Sequence, residues 1–308
     1  MKNICLSCQI SARETELVNG YHSECSQKLF DASEPPEILF GTADISIEVQ
    51  KMAGKLSVSG AQPKLSLMHD RAKQRLKVVA FGGRYILKPQ TDRFPLLPEN
   101  ENLCMNIASL YGLEVPAHGL IPLADGRLAY IVKRFDRLDH GKKRHQEDFQ
   151  QLLQKKDKYH GSYEQIANFI KKHSERASSD LKKLYESALL FFVLGNGDAH
   201  LKNFSLMHNA TVGYHLSPSY DIVSSRLVLP AEREEMCLSI QGKKNRITAK
   251  DFIRLAQHFG LSGWQADNIH NRLSALLPEI EKRIKESFLT TRFKTGLLEI
   301  FRERMKRI

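Results

Sequence analysis

The sequence has little that would place it in a membrane, in a repeat array or in a disulfide-bonded scaffold. No apolar run approaches the roughly 18 residues that a membrane-spanning helix needs. The N-terminal residues lack the apolar core and the small-residue cleavage site of a signal peptide. Internal repeats and low-complexity tracts are also missing from the 308 residues. We therefore expect a cytoplasmic globular protein, with secretion into a host left open and no membrane partner.

Acidic residues are fewer than basic ones, and the net charge is +11 with a sequence pI of about 9.4. This balance favours an acidic partner, such as nucleotide phosphate, nucleic acid or a protein that binds RNA. The basic residues lie in scattered pairs, as at Lys171–Lys172, and form no long arm. The charge alone therefore does not predict direct nucleic-acid binding.

The chain has only five cysteines, and a reducing compartment disfavours a disulfide framework. Three of them form a pattern with a histidine: Cys5-x-x-Cys8 is followed, after thirteen residues, by His22-x-x-Cys25. Three thiols and one imidazole at this spacing can bind Zn²⁺ tetrahedrally. The alternative is a set of ordinary reduced thiols on a small helical hairpin.

The most informative segment contains Gly-Asn-Gly-Asp198-Ala-His-Leu-Lys-Asn203, with Asp221 eighteen positions later. A protein-kinase catalytic loop spaces its catalytic Asp and its metal-binding Asn in the same way. Asp221 lies where the metal-binding Asp of Asp-Phe-Gly would lie, although the triplet here is Asp-Ile-Val. Taken alone, Asp198 is more typical of a turn residue. The ordered succession of Asn203, a short apolar run and Asp221 favours catalysis with Mg²⁺.

Lys88 ends a predicted strand, where a kinase has a lysine that pairs with the phosphates of ATP. A helix glutamate holds that lysine in a kinase, and either Glu99 or Glu101, at the start of the next predicted helix, can reach Lys88. The alternative for a strand-end lysine is a solvated side chain. The order of Lys88 relative to Asp198 and Asn203 favours the functional interpretation.

The segment from Ser57 to Lys64 occupies the place of a phosphate-binding loop. It contains one glycine, Gly60, and does not match Gly-x-Gly-x-x-Gly, but its backbone N–H groups can still bind phosphate oxygens. Ser57 and Ser59 would lie near the γ-phosphate, so self-phosphorylation of either is chemically possible. The alternative is that both serines are turn or cap residues.

Hydrophobic periodicity predicts a mainly β part followed by a mainly α part. Strands are predicted over 65–68, 76–80, 84–88, 118–123 and 128–132, with one helix over 98–111. Later helices are predicted over 146–153, 162–173, 180–194, 248–259, 264–277 and 280–304.

These elements predict an α+β fold of the two-lobed, kinase-like kind. We expect a Cys/His segment at 1–32 and a small, mainly β N-lobe with the phosphate loop at 44–135. A larger α-helical C-lobe at 136–308 would carry the catalytic and metal-binding motifs.

Together these motifs resemble the HipA family of bacterial serine/threonine kinases, the toxins of type II toxin–antitoxin modules. The matching segments follow the family order at Ser57–Leu67, Tyr85–Pro89, Glu99–Asn102, Val132–Arg137, Gly197–Asn203 and Tyr220–Ser224. Within the family the sequence most resembles HipT, the short toxin of tripartite HipBST modules. Only about 50 residues precede the Ser57 loop, and they hold the Cys/His segment instead of the extra N-terminal subdomain of full-length HipA.

The resemblance implies a Mg-ATP-dependent protein kinase and a role for each matching residue. The implied roles are Asp198 as catalytic residue, Asn203 and Asp221 as Mg²⁺ ligands, Lys88 at the ATP phosphates, Lys133 and Phe135 at the adenine hinge, and Ser57 or Ser59 as the site of inhibitory autophosphorylation. Glu101, as the glutamate that holds Lys88, and Gly60 of the phosphate loop complete the predicted ATP site. It also implies an aminoacyl-tRNA synthetase as protein substrate, and HipS-like and HipB-like antitoxins as partners.

Two other functions remain open. Small-molecule kinases of the aminoglycoside or choline type share the Gly-Asp-x-His-x-x-Asn pattern, but a cationic substrate would need an acidic pocket, which the charge of +11 disfavours. A non-catalytic module, kinase-like or built on the zinc knuckle, would bind without turnover. The presence of Asp198, Asn203, Asp221 and Lys88 argues against that non-catalytic alternative.

Overall fold

The computed structural model describes residues 3–13, 16–45, 47, 63–138 and 142–308. The chain divides into two compact units. The first contains Met1–Asn106, Pro116–Lys142 and Glu286–Leu289, and the second contains Ile107–Val115, Lys143–Lys285 and Thr290–Ile308. None of the helices within the described ranges is both long enough and apolar enough to cross a bilayer.

An antiparallel five-stranded sheet, in the order β2-β1-β3-β5-β4, organises the first unit. Its strands are β1 (Leu65–Asp70), β2 (Arg75–Val78), β3 (Tyr85–Lys88), β4 (His118–Pro122) and β5 (Leu128–Lys133). Side chains alternate between the two faces of a strand. Tyr85 and Leu87 of β3 therefore enter one hydrophobic core, while Lys88 faces the other way and is paired in register with Tyr130 of β5.

The N-terminal Cys/His segment belongs to the same core as the sheet. Helix α1 (Ser23–Phe30) buries Leu29 and Phe30 completely. The ring of Phe30 lies between those of Tyr21 and Tyr85, with centroid separations of 5.6 and 5.9 Å. Helix α2 (Leu97–Tyr111) follows β3 along the chain. The segment therefore stabilises the sheet by burying apolar area against it.

The second unit is mainly helical. After residue 143 the helices are α3 (Phe149–Leu152), α4 (Tyr163–His173), α5 (Ala177–Leu194), α6 (Ser225–Val228), α7 (Ala249–Phe259), α8 (Gly263–Ala275), α9 (Leu277–Glu286) and α10 (Thr291–Met305). A three-stranded sheet joins them, formed by β6 (Gln146–Asp148), β7 (Ser205–Asn209) and β8 (Gly213–Leu216). Helix α5 is the central element, because α4, α7 and α10 all pack against it.

The predicted α+β composition is confirmed, but two of the predicted helices are wrong in part. The helix expected over 146–153 is strand β6 followed by α3, because Gln146–Asp148 pairs with Ser205–Met207 of β7. The helix expected over 280–304 is two helices, α9 and α10, and Thr290 before α10 has an extended backbone with φ −70° and ψ 161°. Ser262 caps α8, since its side chain accepts a hydrogen bond from the Gln265 N–H.

Candidate active site

Lys88 and Glu101 form a buried ion pair in the first unit. The Lys88 ammonium lies 2.5 Å from Glu101 Oε1, and the two side chains are only 6% and 4% exposed. Lys88 Nζ also lies 5.4 Å from the centroid of the Tyr130 ring, within the range of a cation–π contact. A buried charged pair is costly to desolvate, so its presence is weak evidence for stability and better evidence for a role of the charge itself.

The sequence left the partner of Lys88 open between two glutamates, and the structure gives Glu101. Glu99 lies two positions earlier on α2, and a separation of two residues places side chains on different helix faces. Burial raises the pKa of the Glu99 carboxyl above its ordinary value. Its Oε2 atom is buried with no hydrogen-bond partner among the residues that the structure describes.

The predicted adenine hinge follows directly on β5. The Lys133 side chain does not extend into open space, because its ammonium lies 2.5 Å from Asp31 Oδ1 at the end of α1. Its backbone N–H donates to the carbonyl of Ala117. Phe135 is half-buried. Any contact of Lys133 with a nucleotide is therefore expected from the backbone at the end of β5 rather than from the ammonium.

The loop that carries Asp198 is set by the end of helix α5. The helix ends at Gly195, whose φ of 75° is in the left-handed region that glycine adopts without strain. The Gly197 N–H donates to Ser225 Oγ at 2.8 Å, and the Ser225 hydroxyl in turn donates to the Gly195 carbonyl. Asp198 follows directly and is exposed. The loop thus presents the Asp198 carboxylate from a backbone that is held on both sides.

Replacing Gly195 is expected to destabilise this loop. Gly195→Ala would place an alanine in a left-handed backbone conformation, and its Cβ would lie 3.0 Å from a methyl group of Ile300. Gly260 ends α7 with a similar φ of 80°, but apart from its chain neighbours no described residue lies within 4 Å of an added Cβ. Both changes should cost about 1 kcal/mol for the backbone alone. A larger loss of melting temperature for Gly195→Ala than for Gly260→Ala would reveal the close packing, and equal losses would contradict it.

Asn203 and Asp221, the two predicted magnesium ligands, are in contact. The Asn203 Nδ2 amide donates to Asp221 Oδ2 at 3.1 Å, while Asn203 Oδ1 accepts the His200 N–H at 2.9 Å. Asp221 has a φ of 61°, which is uncommon for a residue other than glycine and often marks a functional position. Tyr220, just before it, donates its hydroxyl to the Lys202 carbonyl. The backbone on both sides of this contact is therefore constrained.

The side chains of Asn203 and Asp221 are suited to Mg²⁺. The ion prefers carboxylate and amide oxygens, and both kinds are present here. Asn203 Oδ1 has two lone pairs, so it can accept the His200 N–H and still ligate a cation. The donor set, the contact at 3.1 Å and the half-buried Asp221 side chain together fit a divalent ion bound mainly by oxygen.

His200 supports the loop through a residue that the sequence analysis did not identify. Lys158 Nζ lies 2.8 Å from His200 Nε2, and the Lys158 carbonyl accepts the Leu201 N–H at 3.1 Å. Lys158 lies in an irregular segment forty-two positions earlier, where no spacing rule applies. The sequence analysis did not identify Ser225 either, although it directly follows the matching segment Tyr220–Ser224. Neither Lys158 nor Ser225 has a motif of its own, so only the fold reveals them.

The segment from Arg134 to Arg137 is held together by a buried aspartate. Asp136, 5% exposed, accepts two hydrogen bonds from the Arg134 guanidinium at 2.9 and 2.8 Å. Arg137 also donates to it. Two arginines on one carboxylate fix the chain that follows β5, next to the predicted hinge.

The Cys/His segment brings its four predicted ligands together. The ligand atoms of Cys5, Cys8, His22 and Cys25 all lie within 4.8 Å of one another. His22 Nδ1 is 3.5 Å from Cys8 Sγ and 3.9 Å from Cys25 Sγ. The hydrogen bond with Cys25 lowers the pKa of the Cys5 thiol, whereas the bond with Cys5 raises that of Cys25.

The three predicted residues of the phosphate loop, Ser57, Ser59 and Gly60, lie outside the described residues.

The buried lysine–glutamate pair and the Asp-Asn-Asp set are the features of a kinase-like protein, and comparison with known families agrees. The profile of the HipA-like C-terminal domain family matches residues 56–284. The chain therefore belongs to the HipA-like C-terminal domain family.

Two relatives carry the name of a kinase. A Haemophilus influenzae protein named "Putative kinase" is 30% identical to this chain, in an alignment that covers 98% of this chain and 96% of that protein. A Sinorhizobium fredii protein named "Putative kinase Y4mE" is 31% identical over 240 residues, which cover 75% of this chain and 54% of that one. The names of both relatives agree with the family match.

Two solved structures share the fold. A chain of the Shewanella oneidensis complex of the toxin–antitoxin system HipA and HipB with operator DNA superposes with a TM-score of 0.68 at 21% identity, covering 85% of this chain and 70% of that one. The Helicobacter pylori proinflammatory kinase CtkA gives 0.57 at 18% identity, covering 82% and 91%. The predicted kinase-like α+β fold is therefore confirmed, while the closer likeness to HipT stays a prediction.

Proposed function

We propose that this protein is a serine/threonine protein kinase of the HipA type that uses Mg-ATP. The contact between Asn203 and Asp221 at 3.1 Å, on the loop that presents Asp198, is the observation that carries this proposal. It joins residues eighteen positions apart that follow Asp198 in the same order as the metal-binding Asn and Asp of protein kinases. The buried Lys88–Glu101 pair supports the proposal independently.

Each residue then has one task. The Asp198 carboxylate orients the acceptor hydroxyl and takes its proton while the hydroxyl oxygen bonds to the γ-phosphorus. The bond from that phosphorus to the bridging β-γ oxygen breaks, and ADP leaves. Lys88, held by Glu101, donates hydrogen bonds to ATP phosphate oxygens. The backbone at Lys133 and Phe135 is proposed to bind the adenine.

Magnesium, which would be held by Asn203 and Asp221, supplies positive charge that offsets the charge on the transferring phosphoryl group. The chain prepares this site before any ion arrives. The His200 N–H orients the Asn203 amide, and Lys158 and Tyr220 hold the backbone around it. Preorganised groups of this kind need little rearrangement during the reaction.

The toxin role, the substrate and the partners are proposals of the same kind. The HipA chain in the Shewanella oneidensis complex is bound with HipB and operator DNA, which supports a HipB-like antitoxin for this chain. A HipS-like partner is proposed from the resemblance to the tripartite modules. An aminoacyl-tRNA synthetase is the proposed substrate, and the net charge of +11 suits a target that carries tRNA.

The substrate proposal is tested by comparing the phosphoproteomes of cells that express the wild type or Asp198→Asn. The account predicts a phosphoserine or phosphothreonine on one translation protein, present with the wild type only. A phosphorylated small molecule, with an unchanged phosphoproteome, would instead favour the aminoglycoside- or choline-kinase alternative. Growth arrest that is identical for both variants would contradict the toxin proposal.

We further expect the kinase to phosphorylate Ser57 or Ser59 in its own phosphate loop. A phosphate there adds about −1.5 to −2 charges at neutral pH. Those charges would repel the phosphates of ATP, so transfer to the protein substrate should slow. Mass spectrometry of the wild type after incubation with Mg-ATP should find the modification, and Asp198→Asn should lack it.

Two further pairs of variants test how a phosphate on this loop affects activity. Ser57→Asp and Ser59→Asp should transfer phosphate more slowly, whereas Ser57→Ala and Ser59→Ala should stay active for longer. An unmodified loop after prolonged incubation of an active enzyme would show that the two serines are turn residues.

A further inference from the structure

The Cys/His segment has the backbone of a metal site as well as the ligands. Cys5 and Cys8 flank a tight turn, closed by the Gln9 N–H donating to the Cys5 carbonyl at 3.0 Å. Two more features complete the site. The backbone N–H of His22 lies 3.5 Å from Cys5 Sγ, as expected of a donor to a thiolate, and Leu6 donates its N–H to the Gly20 carbonyl at 2.8 Å. The first pair of ligands is therefore tied to the turn that leads to the second pair.

The second pair is placed by a hairpin and a helix. Val18 and Tyr21 pair across Asn19 and Gly20, whose φ values of 46° and 83° are those of a type I′ turn. The hairpin brings the chain back to His22, the N-cap residue of α1, and Cys25 lies in the first turn of that helix. Each ligand is thus held by ordinary backbone structure.

We propose that Cys5, Cys8, His22 and Cys25 bind one zinc ion, and that this ion braces helix α2 so that Glu101 meets Lys88. Three sulfur atoms and one imidazole nitrogen within 4.8 Å match the ligand set of a closed, structural tetrahedral zinc site. None of the described cysteines forms a disulfide. Cys5 is completely buried, so a site closed to exchange with solvent is expected on that side.

The brace runs through the turn between Cys5 and Cys8. The Leu6 carbonyl accepts a hydrogen bond from Asn102 Nδ2 at 3.2 Å, and the Ser7 carbonyl accepts one from Asn106 Nδ2 at 2.7 Å. Asn102 and Asn106 are one helical turn apart on α2. Asn102 is also the residue directly after Glu101.

The same turn is fixed to the sheet. Leu120 donates its N–H to the Leu6 carbonyl at 2.8 Å, and Ser7 Oγ donates to the His118 carbonyl at 2.7 Å. A Cβ at Gly119 would lie 3.2 Å from the Ser7 Cα atom, so glycine permits the close approach. One metal-closed turn therefore contacts both β4 and α2. Losing the ion would release this turn, and with it two side-chain hydrogen bonds on α2.

The metal proposal is tested on the full-length protein purified without chelators, by elemental analysis. The wild type should contain one zinc per chain, and Cys8→Ser and Cys25→Ser should lose it. Cys104→Ala and Cys237→Ala are matched controls, because both cysteines are buried and distant from the set in sequence, and both variants should keep the zinc. Protein without zinc, or zinc kept by Cys8→Ser, would overturn the proposal.

The brace is tested by hydrogen exchange, with a variant that leaves the metal ligands intact. Asn106→Leu removes the donor to Ser7 and should keep its zinc. Residues 97–106 should exchange faster in both Asn106→Leu and Cys8→Ser than in the wild type. Thr291–Met305 should exchange at an unchanged rate in both. Unchanged exchange over residues 97–106 in a zinc-free Cys8→Ser protein would overturn the brace.

The proposal that the brace holds Glu101 against Lys88 for ATP binding rests on the proposed kinase function. A nucleotide-binding measurement tests this part of the proposal separately. Asn106→Leu should weaken binding of a non-hydrolysable ATP analogue by about two- to tenfold, the effect of one lost hydrogen bond of ordinary strength. Unchanged affinity would overturn the link to Glu101. If zinc and exchange behave as expected but the wild type binds no nucleotide, the kinase proposal fails and the brace stands.

Discussion

Asp198→Asn is expected to lower phosphate transfer by about a hundredfold to ten-thousandfold, the range that a positioned proton acceptor contributes. The amide keeps the size and the hydrogen-bonding shape of the carboxylate but accepts no proton at neutral pH. The carboxylate is exposed on a loop whose backbone is held by Ser225, so the melting temperature should change little. The measurement is transfer of labelled γ-phosphate, with thermal melting in parallel.

The control for this change is Asp267→Asn, the same substitution at an exposed position of helix α8. It should retain wild-type activity. A folded Asp198→Asn protein with full transfer would contradict the proposed mechanism. Loss of activity together with loss of folding would be resolved by Asp198→Glu, which keeps the charge and should recover part of the activity if proton acceptance is the role.

The second large effect concerns the buried pair. Lys88→Met leaves the Glu101 carboxylate buried without its lysine, and Glu101→Leu leaves the Lys88 ammonium without its glutamate. Breaking a buried pair from one side typically destabilises a protein by about 3–5 kcal/mol, whereas replacing both members with apolar residues is often neutral or stabilising. Both single variants should therefore melt earlier than the wild type and bind ATP weakly.

The double variant Lys88→Met/Glu101→Leu separates the two consequences. Its melting temperature should return towards that of the wild type, because no buried charge lacks its partner. Its affinity for ATP should remain low, because the group that binds the phosphates is gone. A double variant that regains both stability and nucleotide affinity would show that Lys88 has only a structural role.

Lys88, Asp198, Asn203 and Asp221 could be proposed as site residues from the sequence, because protein kinases have these residue types in this order and at similar spacing. The choice of Glu101 over Glu99 was not, since two positions on one helix differ in face, and the face depends on how the helix packs. The partners that hold the loop were hidden for a similar reason. Lys158 and Ser225 act through single hydrogen bonds that any lysine or serine can make.

The fold likewise has elements that local sequence predicts and elements that depend on tertiary contacts. Helices with strong periodicity or clear caps, such as α5 and α8, were predicted within a few residues. Strand β6 was missed because Gln146–Asp148 is polar, and its extended form depends on pairing with β7. The break before α10 was missed because Ser287–Leu289 continues the apolar pattern of a helix. Pairing and chain direction are tertiary properties, which local periodicity does not contain.

The contact of the Cys/His segment with α2 is the clearest example of a tertiary feature that the sequence pattern does not predict. The ligand spacing predicts a metal site, but nothing in the sequence marks Asn102 and Asn106 as the residues that contact the turn between Cys5 and Cys8. The predicted division set the Cys/His segment at 1–32 apart from the N-lobe at 44–135, whereas Cys5, Tyr21 and Phe30 share the core of the sheet. The function of the segment is therefore inferred from its packing, not from its sequence.

The central claim is that this protein transfers the γ-phosphate of Mg-ATP to a serine or threonine of a protein. The most direct test supplies purified wild type with ATP whose γ-phosphate carries heavy oxygen, together with a bacterial extract, and locates the heavy phosphate by mass spectrometry. The account predicts heavy phosphoserine or phosphothreonine in protein that depends on Asp198. Heavy phosphate found only in small molecules, or only as free phosphate, would contradict it.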